Sequence, residues 1–235
     1  MMTQLEPLPL TRLALFDLDH TLIPIDSDYA WGEFSLAQGW VDAATFKQQN
    51  DTFYAQYQNG TLDVDAYTRF ATDAIRRLGA PQAVAAHTDF MHSVVKPVIL
   101  PQALELVQAH QRAGERVVIV TATNEFVTRP IAQAFGVEEL IAVELEREPS
   151  DSGTGWITGA IRGVPSFREG KVTRVEQWLT AHGLSWDTVH TTFYSDSMND
   201  LPLLEKATVP IATNPDPRLR ALAAERGWRI LDLFK

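Results

Sequence analysis

The sequence predicts an α/β fold: a doubly wound parallel sheet core with a helical unit inserted after its first strand. Three observations predict it. Short apolar runs stop at Asp or Thr, helical patterns alternate with them, and a long stretch after residue 21 carries no strand-like run. Residues 12–16 (RLALF) are almost wholly apolar, as suits a strand buried on both faces, and Asp17 stands at its carboxyl end.

Between residues 21 and 95 the pattern changes. Trp31, Phe34, Trp40, Phe46, Phe53, Tyr54, Tyr57, Tyr67 and Phe70 recur at helical spacings, which marks a small helical insertion whose aromatic side chains pack its interior. Gly60 and Gly79 suit helix ends within it. The chain therefore divides into an α/β core, residues 1–24 and 96–235, and a helical cap, residues 25–95.

The alternation resumes after the insertion. Residues 101–113 open with a proline suited to a first helical turn, carry Ala103, Leu106 and Val107 on one face, and stop at Gly114. Residues 116–121 (RVVIVT) are β-branched and apolar, and 125–135 read as a helix with Pro130 near its start. A strand over 140–145 and a Gly-rich, hairpin-like excursion over 153–163 follow. Residues 168–182 place Val172, Val175, Trp178 and Leu179 on one helical face. Strands at 189–194, 209–212 and 229–231, with helices at 201–205 and 217–226, complete the doubly wound pattern.

At 235 residues the chain exceeds a typical domain of ~100 to 150 residues, which fits one core plus an insertion. Thirty acidic against twenty basic residues give a net charge of −10, which disfavours binding to nucleic acid or to an anionic membrane. The same charge repels a phosphorylated substrate at long range, so an anion site here needs local cations and backbone donors, and any metal has to supply part of that charge. Cysteine is absent, which excludes disulfides and thiolate metal sites and suits a reducing cytoplasm. The opening MMTQLEPLPL lacks a basic segment and a long apolar one, and no stretch approaches the ~20 apolar residues of a membrane span. The expectation is a cytoplasmic protein; composition does not fix its oligomeric state.

Three strand ends carry chemistry. In an open parallel sheet, ligands bind beyond the carboxyl ends of the strands. The first end is Asp17-Leu18-Asp19-His20-Thr21, where two carboxylates so close together call for a cation or a proton between them. The second is Thr121, whose hydroxyl, with the backbone N–H groups of a helix start at Ala122 to Glu125, can receive phosphate oxygens. The third is Tyr194-Ser195-Asp196-Ser197-Met198-Asn199-Asp200. There Asp196 can join Asp17 and the Asp19 carbonyl around Mg²⁺, with Asn199 and Asp200 orienting its waters. Lys171, opening the helix at 168–182, is the remaining cation. Read singly, each has a plainer role: Thr121 and Asp200 as helix caps, Lys171 as a surface lysine.

Taken together, Asp17-x-Asp19-x-Thr21, Thr121, Lys171 and Asp196 with Asp200 resemble, in order, the motifs of the haloacid dehalogenase superfamily of phosphatases. The resemblance covers the chain from about Leu13 onward. It implies that Asp17 attacks phosphorus, Asp19 protonates the leaving alcohol and later activates water, Thr121, Ala122 and Lys171 hold the phosphoryl oxygens, and Asp17, Asp19 and Asp196 bind Mg²⁺. The implied substrate is a small-molecule phosphate ester.

The insertion directly after the first motif looks like the type-one cap of the subfamily that contains phosphoserine phosphatases. Asp17 to Leu22 together with Asp26 to Phe34 is closest to histidinol-phosphatase-like members. Where phosphoserine phosphatases place a cap glutamate for the substrate ammonium, this sequence has Asp26; where they place an arginine for its carboxylate, it has Ala71, with Arg69 nearby. Thr121-Ala122-Thr123 likewise replaces Ser-Gly-Gly. An unpaired carboxylate under a cap is expensive, so the expected substrate has an amine and no carboxylate, as histidinol phosphate does, with Asp26, Asp28 and Glu33 as its partners. His20 is expected to pack beside the site instead of reacting.

Phosphoserine remains the alternative substrate. A rival of another class is the phosphoacceptor receiver domain, which also sets Asp, Thr and Lys at strand ends but lacks the insertion and the late Asp196/Asp200 pair. A calcium-binding loop on Asp17, Asp19, Thr21 and Asp28 fails because Leu22 stands at its glycine position.

Overall fold

A computed structural model describes residues 10–149 and 155–235. The chain begins with β1 (Thr11–Phe16) and then leaves the sheet for α1 (Ser27–Ala37), α2 (Ala43–Asn59), α3 (Val64–Ala71), α4 (Asp73–Leu78) and α5 (Ala80–Phe90). A π-helical turn, Met91–Val95, extends α5 back toward the core. There follow α6 (Pro101–Arg112), β2 (Arg116–Asn124), α7 (Glu125–Ala134), β3 (Glu139–Val143), β4 (Leu145–Arg147) and β5 (Ile157–Ile161). The chain closes with α8 (Glu169–Ala181), β6 (Val189–Ser195), α9 (Leu201–Lys206), β7 (Val209–Thr213), α10 (Pro217–Arg226) and β8 (Arg229–Leu231).

Six parallel strands form one sheet in the order β3-β2-β1-β6-β7-β8. The winding reverses at β1, so the crevice beyond β1, β2 and β6 is the switch point where ligands of such sheets bind. Register sets the site: Phe16 pairs with Ile119 and with Tyr194, and the Asp17 N–H donates to the Tyr194 carbonyl at 2.9 Å. Asp17 thus emerges between the two neighbouring strands.

Strand alternation builds two cores. Leu13 and Leu15 face Val175, Leu179, Leu203 and Leu219 from α8, α9 and α10. Ala14 and Phe16 face Val107 of α6, Val127 and Ile131 of α7, and also Trp31, Ile75 and Phe90 of the insertion. The base of the insertion therefore shares the core's apolar layer. Among the described residues no helix is long and apolar enough to cross a membrane.

Three expectations change. The strand at 116–121 runs on to Asn124, because Thr121 and Thr123 are β-branched and Asn124 is the helix cap, its side chain accepting from the Phe126 and Val127 N–H groups. The strand at 140–145 ends at Val143, and Leu145–Arg147 turns away to pair antiparallel with Ile157–Ile161. The excursion at 153–163 is thus one arm of that ribbon, with residues 153 and 154 outside the described residues.

Candidate active site

The loop after β1 and the loop after β6 face each other. Thr21 Oγ1 lies 3.1 Å from Asp17 Oδ2 and 3.2 Å from Asp196 Oδ1, and it accepts the Asp196 N–H at 3.1 Å. One hydroxyl proton can serve only one carboxylate at a time. The remaining charge is met by Lys171, whose Nζ donates to Asp17 Oδ1 at 2.7 Å and to Asp200 Oδ2 at 2.8 Å. Lys171 is 1% exposed, so the surface-lysine reading is excluded. Asp200 also accepts from Ser195 Oγ at 2.7 Å, and although it stands at the N-cap position of α9 its side chain makes no capping bond there.

Lys171 reaches inward because α8 begins tightly. Gly170 sits under the Pro165 carbonyl, where an added Cβ would stand 2.1 Å from that oxygen, and Arg168 holds φ at 52°. A positive φ in a non-glycine residue is strained by about 1–3 kcal/mol. The Arg168 guanidinium in turn donates to the Gly60 carbonyl at the end of α2, 2.9 Å away.

Asp19 is held by two donors, the Ser27 N–H and the Thr123 hydroxyl, each at 2.8 Å. Burial, with Asp26 nearby adding to it, pushes the Asp19 carboxyl up to about 6. Thr121 Oγ1 accepts the Thr123 N–H at 3.1 Å, and residues 121–123 bulge out of the ladder between β2 and β3. The predicted helix start at Ala122 is corrected: Thr121 and Ala122 meet the cavity from a bulged strand end, and the helix N-terminus lies three residues further on.

A cavity joins these residues to the cap. Its walls are Asp17, Asp19, Thr121, Ala122, Thr123 and Phe167 from the core, and Asp26, Asp28, Tyr29, Asn50, Phe53, Tyr54, Tyr57, Leu62, Val64 and Tyr67 from the insertion. The expectation that the insertion's aromatic residues simply pack holds for Trp31, Phe34 and Trp40, which cluster with Phe90, but Phe53, Tyr54, Tyr57 and Tyr67 face the cavity. Asp26 caps α1, accepting from the Tyr29 N–H at 2.8 Å, and also lines the cavity. Asp28 is buried and accepts from Asn124 Nδ2 at 3.1 Å.

Arg69 does not join them. It is exposed on the outer face of α3, beside Asp42 and Asp73, because the inward face of that helix is taken by Val64 and Tyr67. Glu33 also lies off the cavity, 4.0 Å from Lys47. Asn199 donates from Nδ2 to the Tyr57 carbonyl at 2.8 Å, so this amide ties α2 to the core. His20 lies off the cavity too, with φ at 55° and its carbonyl accepting from Asn214. Sequence reading also missed Tyr29, Asn50, Thr123 and Phe167 as cavity residues, and an Asn in a polar helix such as Asn50 has no distinguishing signal.

Burial drives the Asp17 and Asp196 carboxyls above the ordinary range, with repulsion from Asp19 adding at Asp17 and repulsion from Asp17 and Asp200 adding at Asp196, even with Lys171 lowering both. Such a pair favours a bound cation. Among the described residues no three His, Cys, Asp or Glu side chains are grouped for a metal, so a cation here would have only the Asp17 and Asp196 carboxylates, a backbone carbonyl and waters as donors. That donor set suits Mg²⁺, which keeps several waters.

Asp28 gives a stability prediction. Burial, with Asp26 as the next cause, raises its carboxyl from 3.8 to about 8. The folded protein then holds a proton that the unfolded chain has released, so stability falls as pH rises from about 4 to about 8. Asp28→Asn removes that decline. It is expected to match wild type near pH 4 and to exceed it by on the order of 5 kcal/mol at pH 8, at ~1.4 kcal/mol for each pH unit between the two values, read from urea melts at both pH values.

The haloacid dehalogenase-like hydrolase family matches residues 14–205. Over 222 residues the chain is 42% identical to a histidinol-phosphatase of Neisseria meningitidis serogroup C (strain 8013), covering 94% of this chain and 98% of that one. It is 31% identical to a phosphoserine phosphatase of Mycobacterium tuberculosis (strain ATCC 25618 / H37Rv), covering 96% of this chain and 72% of that one. A crystal structure of a protein of unknown function from Bordetella pertussis Tohama I superposes with a TM-score of 0.88 at 46% identity, covering 96% and 100% of the two chains.

Proposed function

This chain belongs to the haloacid dehalogenase-like hydrolase family and is a phosphatase, and from that premise we propose that it hydrolyses the phosphate ester of a small amino alcohol, with histidinol phosphate as the best candidate. One observation carries the choice of substrate. The cavity is walled by Asp17, Asp19, Asp26 and Asp28 with five aromatic side chains from the insertion, and among the described residues no Lys, Arg or His lines it. Such a wall suits a cation, whose arrival favours the ionised form of Asp28 and displaces the proton that burial keeps there, and it leaves a substrate carboxylate without a partner. The outward Arg69 counts against phosphoserine for the same reason. The relative that is a histidinol-phosphatase supports the same reading.

The chemistry proceeds in two displacements. An Asp17 carboxylate oxygen attacks phosphorus, the ester P–O bond breaks, and the leaving alcohol takes a proton from Asp19, which at about 6 can carry one. Asp19, now ionised, takes a proton from water, whose oxygen attacks phosphorus and frees Asp17 and inorganic phosphate. Lys171, 2.7 Å from Asp17, keeps the nucleophile ionised and, with Thr121 and the Ala122 N–H, offsets charge on the phosphoryl oxygens. Mg²⁺ held by Asp17, Asp196 and the Asp19 carbonyl would supply further positive charge there, and Asp200 holds Lys171 in place. The cavity measures about 30 Å³, room for a water or two, so an ester can be admitted only if the cap residues around it give way.

Phosphate release from histidinol phosphate, phosphoserine, sugar phosphates and an aryl phosphate, with Mg²⁺ or chelator, tests the proposal. The expected result is Mg²⁺-dependent release with a preference for histidinol phosphate over phosphoserine of roughly 10²-fold or more in kcat/KM. Equal turnover of all esters would sink the substrate assignment and leave the phosphatase standing.

A further inference from the structure

The cap wall contains a polar group that no part of the fold uses. Asn50 is 2% exposed and lines the cavity, yet its Nδ2 has no hydrogen-bond partner among the described residues. Burying an amide without a partner costs stability, and such groups in folded proteins call for a reason. The site is made to fit it: opposite stands Gly32 of α1, where a Cβ would lie 3.0 Å from that same nitrogen.

Its position gives the reason. On α2, Asn50, Phe53, Tyr54 and Tyr57 fall at i, i+3, i+4 and i+7, and all four line the cavity. The Tyr57 end of that face is the core end, where its carbonyl accepts from Asn199 and its ring lies 5.9 Å from Phe167. Seven residues of helix place Asn50 about 10 Å further along, deep in the cap. A group attached to phosphorus at Asp17 therefore passes Asp26 and the tyrosines before it meets Asn50.

We infer that Asn50 is the specificity-determining residue for the far end of the alcohol, where it hydrogen-bonds a polar ring that lies beyond the ammonium recognised by the carboxylates. An amide both donates and accepts, as a neutral imidazole does, so the two are complementary. Short esters such as phosphoethanolamine carry an ammonium but end before this position. The inference rests on the proposed hydrolysis of an amino-alcohol phosphate and adds the residue that measures the alcohol's length.

The test compares wild type with Asn50→Leu, which keeps the volume and removes the hydrogen bonds, on histidinol phosphate, phosphoethanolamine and an aryl phosphate with Mg²⁺. Asn50→Ala carries the same comparison if the leucine variant fails to fold. The expected result is a roughly 10- to 100-fold fall in the kcat/KM preference for histidinol phosphate over phosphoethanolamine, seen mainly in KM. An unchanged preference, or a wild type that treats the two amines alike, overturns the inference. Aryl phosphate release by wild type separates this failure from failure of the phosphatase chemistry. Should wild type release phosphate from none of the three, the heat-melting shift produced by histidinol alone decides: a shift present in wild type and lost in the variant supports Asn50, and its absence in wild type overturns it.

Discussion

Asp17→Asn is expected to lower phosphate release by at least ~10³-fold while leaving the fold intact. The amide is close in shape to the carboxylate but has no electron pair basic enough to attack phosphorus. The structural consequence is small because Lys171 keeps its bond to Asp200 at 2.8 Å, and an amide oxygen can still face its Nζ. Loss of one charge also eases repulsion with Asp196, which is itself held well above the ordinary carboxyl range by burial first and by Asp17 next. Thermal melting in chelator should therefore place the variant at or above wild type, with phosphate release lost at every Mg²⁺ concentration. Retention of more than a tenth of wild-type turnover would remove Asp17 as the attacking group.

The parts of this site that the sequence made legible are those fixed by strand geometry. RLALF before Asp17 is an apolar run and TTFY before Ser195-Asp196 a β-branched and aromatic one, as suits central parallel strands whose carboxyl ends share one crevice. What depended on tertiary contact was hidden. Lys171 in a polar helix start looks like any exposed lysine until Gly170 brings α8 beneath Pro165. The β2 strand runs past Thr121 because Asn124 outcompetes it as a cap, a choice between two good local signals that the neighbouring strand settles. In the insertion, helical spacing identified helices but not which face meets the core. Arg69 and Tyr67 differ by two positions and so point to different sides of α3, one exposed and one in the cavity.

Lys171→Met is expected to be the most destabilising of the substitutions considered, by about 3–5 kcal/mol at pH 8 in the presence of chelator. Methionine fills the space of the lysine stem, so the loss is electrostatic. Asp17 and Asp200 would face each other and Asp196 in a buried site with no ammonium between them. The sign with pH follows from the carboxyls. Asp200 is already raised from 3.8 to about 6, mainly by burial and against the pull of Lys171, and removing the lysine lifts it further. An acid whose folded value exceeds its unfolded one leaves the fold stable while protonated and weakens it as pH rises through the folded value. The variant should therefore approach wild-type stability near pH 4 and diverge from it progressively above about pH 6. Urea melts at pH 4, 6 and 8 measure this directly, and a penalty that stays constant across them would show that the lysine stem matters through packing. Added Mg²⁺ should recover part of the loss at pH 8, since a cation that binds the folded cluster and not the unfolded chain stabilises by mass action. It should not restore turnover, because the ammonium that faces the Asp17 nucleophile is gone.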